Sequence, residues 1–252
     1  MPPAQETRRH GPPPYSSIVF DCDSTLSEIE GIEELVAGSG EVARKVQALT
    51  QAAMEGRVSL ESVFAERLRI AQPSAGDMAT VAQRYIETVL PGAPELVRGL
   101  RLLGKRVIVV SGGLLPAVRP FGEWLGVDPG EIFAVDLTFT AEGSYESFDE
   151  SSPLAQSGGK YVQLKALDLA GDAALVGDGM TDLEGQPLVA RFIAFAGVEA
   201  RPAVVDRADA SVTIPDFAAL VPLLLSEDEI GRLRGEPDAG IAALLGRADG
   251  MR

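Results

Sequence analysis

The residues most typical of a catalytic site in this sequence are two aspartates separated by one residue, in the stretch FDCDSTLSE at residues 20–28. They follow an apolar run, and two hydroxyl residues, Ser24 and Thr25, follow them directly. Because side chains alternate along an extended chain, Asp21 and Asp23 lie on the same side and can reach one substrate. One carboxylate can then act as a nucleophile while the other donates and accepts protons.

Further polar clusters flank other apolar runs that we predict to be strands. Ser111, Gly112 and Gly113 follow RVIVV, and GDGMTDLE at 177–184 follows AALV. The tetrapeptide SGGK at 157–160 opens the helix that leads into AALV. In open α/β sheets, ligands bind outside the carboxyl ends of the strands, so we expect all of these clusters to meet in one crevice.

The chemistry of these clusters is typical of a phosphate site. Carboxylates at Asp21, Asp178 and Asp182 would repel one another unless a cation neutralised them, and an oxygen-only ligand set suits Mg²⁺, which we predict as the cofactor. A Ser-Gly-Gly at the start of a helix offers a hydroxyl and backbone N–H groups to an anion, and Lys160 adds a positive charge. Around such a site, catalysis is mainly positioning and charge stabilisation.

Each cluster taken alone also has a purely structural explanation. Asp, Ser and Thr are preferred helix caps, SGG tripeptides are common in loops, and a single lysine such as Lys160 is usually solvated. The prediction therefore depends on the joint occurrence of four clusters, in an order that yields nucleophile, anion site, cation and metal ligand.

Composition excludes several classes of function. The 252 residues, 46% of them hydrophobic, allow a sizeable core in one domain with or without an insertion. A net charge of -15 without a basic cluster argues against nucleic acid as a partner. No run approaches the roughly 20 apolar residues of a membrane span, and no secretory signal is recognisable, so we expect a soluble cytoplasmic protein that acts on a small molecule. The single cysteine and single histidine exclude an internal disulfide and the usual zinc sites.

Strand and helix patterns alternate along most of the chain. Apolar runs predict strands at SSIVF, RVIVVS, AALVG, RFIAFAG and ASVTI. Helical spacing predicts helices at 94–104, 115–126 and 161–171, and places Trp124 in the core. Two alternating runs within 131–148 predict an antiparallel hairpin. We therefore predict an α/β fold with a doubly wound, mainly parallel sheet covered on both faces.

The same patterns suggest a domain organisation. Residues 1–15 form a Pro-rich leader that we expect to be disordered. Residues 16–26 and 85–225 form the catalytic core, and 27–84, which show helical periodicity and no strand pattern, form a small helical cap inserted after the first strand. Residues 226–252 are a charged, Gly-rich tail with one short helical pattern and no assigned role.

The motifs FDCDSTLSEIEGIEELV, SGG, SGGK and GDGMTDLE resemble the four motifs of the haloacid dehalogenase superfamily and, more narrowly, those of the phosphoserine phosphatase family. The likeness extends over about 16–225 and includes AERLRIAQPS, LPGAPELV and FDESSPLAQSGGK. It implies a Rossmann-like core and Mg²⁺-dependent hydrolysis of O-phosphoserine to serine and phosphate, the last step of the phosphorylated serine pathway, through an aspartyl-phosphate.

The resemblance also implies roles for individual catalytic residues. Asp21 matches the nucleophile, and Asp23 matches the general acid/base, whose main-chain carbonyl also meets the metal. Asp178 matches a direct metal ligand, and Asp182 a carboxylate that orients the lysine and a metal-bound water. The residues that match phosphate ligands are Ser111, Gly112, Gly113 and Lys160.

The amino-acid part of the substrate would be bound mainly by the cap. Glu30 matches the acidic residue that meets the ammonium group, and Arg67 matches the arginine that clamps the carboxylate with two N–H groups. Met54 matches an apolar contact and Thr181 a residue near the substrate. One departure is Glu55, where the family pattern has a glycine.

Several alternatives remain open from the sequence. Without the resemblance, Arg67 would be interpreted as a surface ion pair with Glu66 or Glu61. A related small-metabolite phosphatase, or a phosphotransferase with homoserine as acceptor, would share the same motifs. A receiver-like signalling module ranks low because its acceptor aspartate follows a middle strand, and a phosphate-binding protein without turnover ranks low because the catalytic set is complete. The oligomeric state is not determined by the sequence.

Overall fold

The computed structural model describes residues 13–54, 57–169 and 172–251, and the side chains of Met54 and Leu60 lie outside this description. Most of the leader that we predict to be disordered therefore lies outside the described residues. Within these ranges, no helix is both long enough and apolar enough to cross a bilayer.

Six parallel strands form the central sheet, and two further strands form an antiparallel hairpin. The strands are β1 (Ser17–Phe20), β2 (Arg106–Leu114), β3 (Ile132–Val135), β4 (Leu137–Phe139), β5 (Tyr145–Phe148), β6 (Ala173–Gly177), β7 (Arg191–Phe195) and β8 (Ala210–Val212). The order in the main sheet is β3-β2-β1-β6-β7-β8, and all of its pairings are parallel. The predicted doubly wound parallel sheet is confirmed. Because the chain proceeds outward from β1 on one side and then on the other, the ends of β1 and β6 form the switch point where such sheets bind ligands.

Twelve helices surround the sheet within the described ranges. They are α1 (Gly31–Glu34), α2 (Glu41–Met54), α3 (Leu60–Ala71), α4 (Ala75–Glu87), α5 (Ala93–Leu102), α6 (Leu115–Trp124), α7 (Gly159–Ala166), α8 (Met180–Gly185), α9 (Pro202–Val205), α10 (Val221–Leu224), α11 (Glu227–Arg234) and α12 (Ala239–Gly250). Helices α1 to α4 lie between β1 and β2, which is the place predicted for the helical cap.

Helix α4 illustrates why this segment is helical and how it meets the core. It begins at a capping box in which Ser74 and Asp77 satisfy each other's backbone N–H groups. Met78, Val81 and Tyr85 recur at helical spacing, are all buried, and form the face that packs against the core side of the molecule. That face brings the Tyr85 hydroxyl to the end of β1.

The antiparallel hairpin predicted within 131–148 is confirmed, since β4 and β5 pair on either side of AEG, although β3 at the start of this range joins the main sheet. Two other local predictions need correction. Strand β2 does not end before Ser111 but continues to Leu114, with a shift of register against β3 after Val110. Trp124, predicted in the core, is 49% exposed because it lies at the end of α6, where only one face of its ring stacks on Phe121.

The segment after 226 is not a tail without structure, because α11 and α12 pack on the core. Ile230 and Leu233 of α11 and Leu244 of α12 are buried, and Leu244 lies so close to Gly92 that a Cβ there would be 2.8 Å from its Cδ1. The sequence pattern missed α11 because EDEIGRLR carries only two apolar residues, one turn apart.

Lys105 ties both ends of the described chain to the core. Its buried Nζ donates a hydrogen bond of 2.6 Å to the carbonyl oxygen of Tyr15 and forms an ion pair with Glu229 of α11. Tyr15, which the sequence places in the leader, is itself buried. The ordered fold therefore begins before the predicted boundary.

The packing of α12 predicts a large effect of truncating Leu244. Leu244→Ala should lower the free energy of unfolding by about 2–5 kcal/mol, because it leaves a cavity between α12 and the core. Leu102→Ala is the matched control, since Leu102 is 50% exposed and should change the value by roughly 0.5 kcal/mol or less. Urea unfolding measures both, and equal values for the two variants would show that α12 does not contribute to the core.

Candidate active site

The predicted polar clusters meet at one edge of the sheet, around a cavity. Asp21 directly follows β1, and its N–H donates to the carbonyl oxygen of Val176 in β6 at 2.9 Å. The cavity is lined by Asp21, Asp23, Glu30, Ile32, Arg67, Gly112, Gly113, Leu154, Gln156, Lys160 and Thr181. Asp21 and Asp23 therefore line the same cavity as Lys160, which lies more than 130 residues later in the sequence.

Lys160 lies between two carboxylates. Its Nζ is 2.8 Å from Asp21 Oδ1 and 2.6 Å from Asp182 Oδ1, and all three side chains are buried. Burial lowers the pKa of Lys160, but the charges of Asp182 and Asp21 outweigh it and hold the pKa above its usual range. Lys160 therefore stays charged and supplies a permanent positive charge to the site.

Asp182 is fixed by the backbone on its other side. Its Oδ2 accepts a hydrogen bond of 2.9 Å from the N–H of Gly179, at the start of α8. Gly177, at the end of β6, leaves the space for this carboxylate, because a Cβ there would lie 2.2 Å from Asp182 Cγ. Any larger residue would push Asp182 away from the lysine.

Asp23 is held through one oxygen only. Its Oδ1 accepts from the N–H of Gly31 at 2.9 Å and from the Tyr85 hydroxyl at 2.5 Å. Burial, followed by the negative charge of Asp21, raises the pKa of Asp23 to about 6, although the two hydrogen bonds oppose the shift. A group that titrates near neutral pH suits both proton donation and acceptance.

Tyr85 is a site residue that the sequence analysis missed. Its only sequence signal is a place on the buried face of α4, which indicates core packing and not a polar contact. Gly31 is required beside it, because a Cβ at that position would lie 2.1 Å from the Tyr85 hydroxyl oxygen.

Three carboxylates could hold a cation. Asp21, Asp178 and Asp182 each offer an oxygen atom, and these atoms lie within 4.8 Å of one another. The Thr25 hydroxyl donates to Asp178 Oδ1 at 3.4 Å. This donor set contains only oxygen, which is what a hard divalent cation prefers, so the residues present fit the predicted ion.

Arg201 also reaches this acidic group and was missed by the sequence analysis. Its guanidinium forms an ion pair with Asp178 and lies 3.9 Å from Glu30 Oε1. It belongs to the loop after β7, a strand that the sequence predicted. The strand-end rule applied to this loop would have found it.

The two glycines that follow Ser111 in β2 form part of the cavity wall. The Ser111 oxygen accepts a hydrogen bond of 2.9 Å from the N–H of Gly113, so the hydroxyl hydrogen is left for another acceptor. Gly112 and Gly113 line the cavity, and a Cβ on Gly113 would lie 2.9 Å from Asp23 Oδ2. Glycine at 113 therefore lets β2 approach the aspartate pair closely.

The second Ser-Gly-Gly does not form the predicted anion site. The Ser157 hydroxyl donates to Glu61 Oε2 at 2.8 Å, and the N–H of Gly158 donates to Glu184 Oε2 at 3.0 Å. These donors therefore already have carboxylate partners on the outside of the cavity. Of the tetrapeptide SGGK, Lys160 is the member that lines it.

Arg67 points into the cavity and does not form the surface ion pair considered as an alternative. It is 3% exposed, and its Nη1 donates to Thr50 Oγ1 at 3.1 Å. Glu66 pairs instead with Lys45 and Arg69 on the outside of α3. The Nε atom of Arg67 is buried and has no hydrogen-bond partner among the described residues.

Glu30 lines the same cavity as Arg67 and Thr181. It accepts a hydrogen bond of 2.9 Å from the Ser24 hydroxyl. Burial, and then the charge of Asp23, raise the pKa of Glu30 to about 8. Without a ligand, Glu30 is therefore largely protonated at neutral pH, and a cationic group beside it would favour its ionised form.

The cavity has further lining residues that were not predicted as site residues, and one predicted residue is not described. Ile32, Leu154 and Gln156 line it, although the sequence analysis had marked their segments only as helix or as the approach to the lysine. The side chain of Met54 lies outside the described residues, so its predicted contact stays a prediction.

Comparisons with known proteins agree with this arrangement. The haloacid dehalogenase-like hydrolase family matches residues 18–185. Phosphoserine phosphatase of Bos taurus is 35% identical over 211 residues, covering 82% of this chain and 92% of that protein. The chloroplastic phosphoserine phosphatase of Arabidopsis thaliana is 36% identical over 198 residues, covering 77% of this chain and 67% of that protein, so a cytoplasmic location stays a prediction.

A solved structure shows the same likeness in three dimensions. The phospho-aspartyl intermediate analogue of a phosphoserine phosphatase superposes with a TM-score of 0.71 at 28% identity, and the match covers 84% of this chain and all of that one (100%). The fold, the cavity residues and these relatives agree. The chain therefore belongs to the haloacid dehalogenase-like hydrolase family and, within it, to the phosphoserine phosphatases.

Proposed function

We propose that the chain hydrolyses O-phosphoserine to serine and inorganic phosphate, as the last step of the phosphorylated serine pathway. One observation carries the proposal: Asp21, Asp23 and Lys160 share a single cavity with Glu30 and Arg67. A zwitterionic amino acid needs one group of each sign beyond the phosphate site, and Glu30 and Arg67 supply these two groups. The names of the relatives support this substrate.

In the first step, Asp21 is the nucleophile. Its Oδ1 is engaged by Lys160 and by the N–H of Cys22 at 2.8 Å, so we assign the attack on phosphorus to Oδ2. As the bond from Oδ2 to phosphorus forms, the bond from phosphorus to the serine oxygen breaks. Asp23 gives its proton to the departing alkoxide, and this proton resides on Oδ2, since Oδ1 accepts two hydrogen bonds.

In the second step, water hydrolyses the aspartyl-phosphate. Asp23, now ionised, accepts a proton from the water as its oxygen attacks phosphorus. The bond between phosphorus and Asp21 breaks, phosphate leaves, and Asp21 regains its carboxylate while Asp23 regains its proton. A pKa of about 6 lets Asp23 take both roles near neutral pH.

Haloacid dehalogenase phosphatases generally use a divalent metal ion, and the acidic cluster described above fits one. We propose Mg²⁺ in this position, held by Asp21, Asp178 and the main-chain carbonyl of Asp23, with Asp182 as a supporting carboxylate. When bound, it supplies positive charge that offsets the carboxylates and attracts phosphate oxygens.

The chain's own donors complete the phosphate site. Lys160 provides a fixed positive charge, and the Ser111 hydroxyl can donate because its oxygen already accepts from Gly113. Gly112 and Gly113 let the phosphate approach the backbone closely. These groups stabilise the charge that develops on the phosphoryl oxygens during both steps.

Around the amino-acid part, Glu30 would meet the ammonium and Arg67 the carboxylate, with Thr181 and Met54 as further contacts. Residues 27–84 would act as a cap on a core of 16–26 and 85–225. The Ser157 hydroxyl donates to Glu61 of α3, and the N–H of Ala75 donates to the carbonyl oxygen of Gly143 at 2.9 Å, so the proposed cap contacts the core at these two places. A closed cap excludes bulk water from the aspartyl-phosphate.

Phosphate release across a panel of phosphorylated metabolites, with and without Mg²⁺, tests the function directly. O-phosphoserine should be the best substrate, and activity should be lost in excess EDTA and restored by Mg²⁺. A preference for another phosphomonoester would contradict the assignment of O-phosphoserine as the substrate. Serine formed in the presence of homoserine, without free phosphate, would indicate a phosphotransferase.

Replacing the nucleophile should abolish turnover. Asp21→Asn should lower kcat by at least about 10⁴-fold, because the amide cannot form the aspartyl-phosphate. Asp249→Asn is the matched control, since Asp249 belongs to an exposed ion pair with Arg234. Thermal unfolding of both variants should confirm an intact fold, and substantial activity of Asp21→Asn would refute the assignment.

Substitution of two nearby arginines of α3 distinguishes a loss of substrate binding from a general loss of activity. Arg67→Ala should lower kcat/KM for O-phosphoserine by roughly 10- to 150-fold, the value of charge-assisted hydrogen bonds to a carboxylate. Arg69→Ala should have little effect, because Arg69 is exposed and pairs with Glu66 on the surface. Steady-state kinetics measure both, and an unchanged preference for phosphoserine in Arg67→Ala would contradict the carboxylate clamp.

A further inference from the structure

Arg67 reaches the cavity from α3, and two contacts fix its guanidinium. Nη1 donates to Thr50 Oγ1 of α2 at 3.1 Å, and Cζ lies 5.5 Å from the centre of the Phe64 ring. The ring supports the face of the guanidinium, while the hydroxyl sets its rotation in the plane. Thr50 is 2% exposed, so little bulk water reaches this bond.

Thr50 acts as the hydrogen-bond acceptor in its contact with Arg67. Its hydroxyl donates to the carbonyl oxygen of Val46, four residues earlier in α2, at 3.2 Å. The Glu33 carboxylate is a second acceptor within reach of this hydroxyl, and with its one hydrogen donated to either acceptor the oxygen presents its lone pairs to the arginine. The bond between Thr50 and Arg67 therefore has a defined direction.

An uncharged acceptor has a particular advantage at this place. The carboxylates of Glu30, Asp23 and Glu33 all act on the charge of Arg67. A bond to one of them would offset the charge of the guanidinium and leave fewer of its N–H groups for a ligand carboxylate. A hydroxyl holds the same group without neutralising it, so the full charge stays available to a ligand carboxylate.

We propose that Thr50 is a positioning residue that determines the selectivity for carboxylate-bearing substrates, by orienting Arg67 in the cavity. This inference rests on the proposed function, because it requires Arg67 to bind the substrate carboxylate. Thr50 itself does not touch the substrate and acts through the arginine.

The test compares two phosphomonoesters that differ by the carboxylate, O-phosphoserine and phosphoethanolamine. Thr50→Val keeps the shape of the side chain and removes the acceptor. The ratio of kcat/KM for O-phosphoserine to that for phosphoethanolamine should fall about tenfold, the effect of one hydrogen bond to a charged group. Most of the change should be a higher KM for O-phosphoserine, with kcat and the phosphoethanolamine kinetics within about twofold of the wild type.

Three further variants separate positioning from stability. Thr50→Ser keeps the acceptor and should retain the wild-type ratio. Thr50→Ala removes the acceptor without a β-branched side chain, and should reproduce the loss if Thr50→Val folds poorly. Thr80→Val is the matched control, because the Thr80 hydroxyl makes the same bond four residues back, to Gly76 at 3.1 Å, on the exposed side of α4. It should leave the ratio unchanged.

The outcomes distinguish this inference from the proposed function. If the wild type prefers O-phosphoserine but Thr50→Val and Thr50→Ala keep that preference, or lose both substrates equally, the positioning role is wrong and the function stands. If the wild type shows no preference for the carboxylate-bearing ester, both are overturned. A selective loss that serine at position 50 restores supports the proposal.

Discussion

The ammonium of Lys160, shared by Asp21 and Asp182, is the interaction on which the rest of the site depends. Removing a carboxylate from water costs on the order of several kcal/mol, so the buried acids at this sheet edge would take up protons without a fixed positive charge nearby. Lys160 supplies that charge from the first turn of α7. It reaches the acids because Gly159 packs so tightly under Pro153 that a Cβ would overlap the Pro153 carbonyl oxygen at 1.7 Å.

The parallel sheet explains why these charges can be concentrated in one place. Strands β1, β2 and β6 are neighbours and end at the same edge, so the residues that follow them converge although they are far apart in sequence. Close packing then fixes the side chains, because a Cβ at Gly177 would overlap Asp182 and a Cβ at Gly31 would overlap Tyr85. The result is a preorganised site, in which little reorganisation is needed as charge develops on the phosphoryl group.

The helical segment between β1 and β2 adds both burial and selectivity. Tyr85 of α4 reaches Asp23, the proposed proton donor, and Arg67 of α3 reaches the cavity, where we propose that it binds the substrate. By excluding water it also raises the pKa of Asp23 into the useful range. In the proposed mechanism, substrate recognition and proton transfer therefore both depend on the position of this segment.

The sequence by itself determined the parallel sheet, the helical insertion and the residues proposed for catalysis. Each of these rests on short-range information: strand periodicity, and aspartate, serine and lysine directly at strand or helix ends. Only the tertiary structure decided what depends on distant contacts. Tyr85 meets Asp23 across 62 positions of sequence, and Thr50 holds Arg67 from another helix. The donors of Ser157 and Gly158 bind carboxylates outside the cavity, and α11 joins the core through only two apolar residues. A local pattern carries no information on these contacts, because the partner that satisfies each group lies on a separate element.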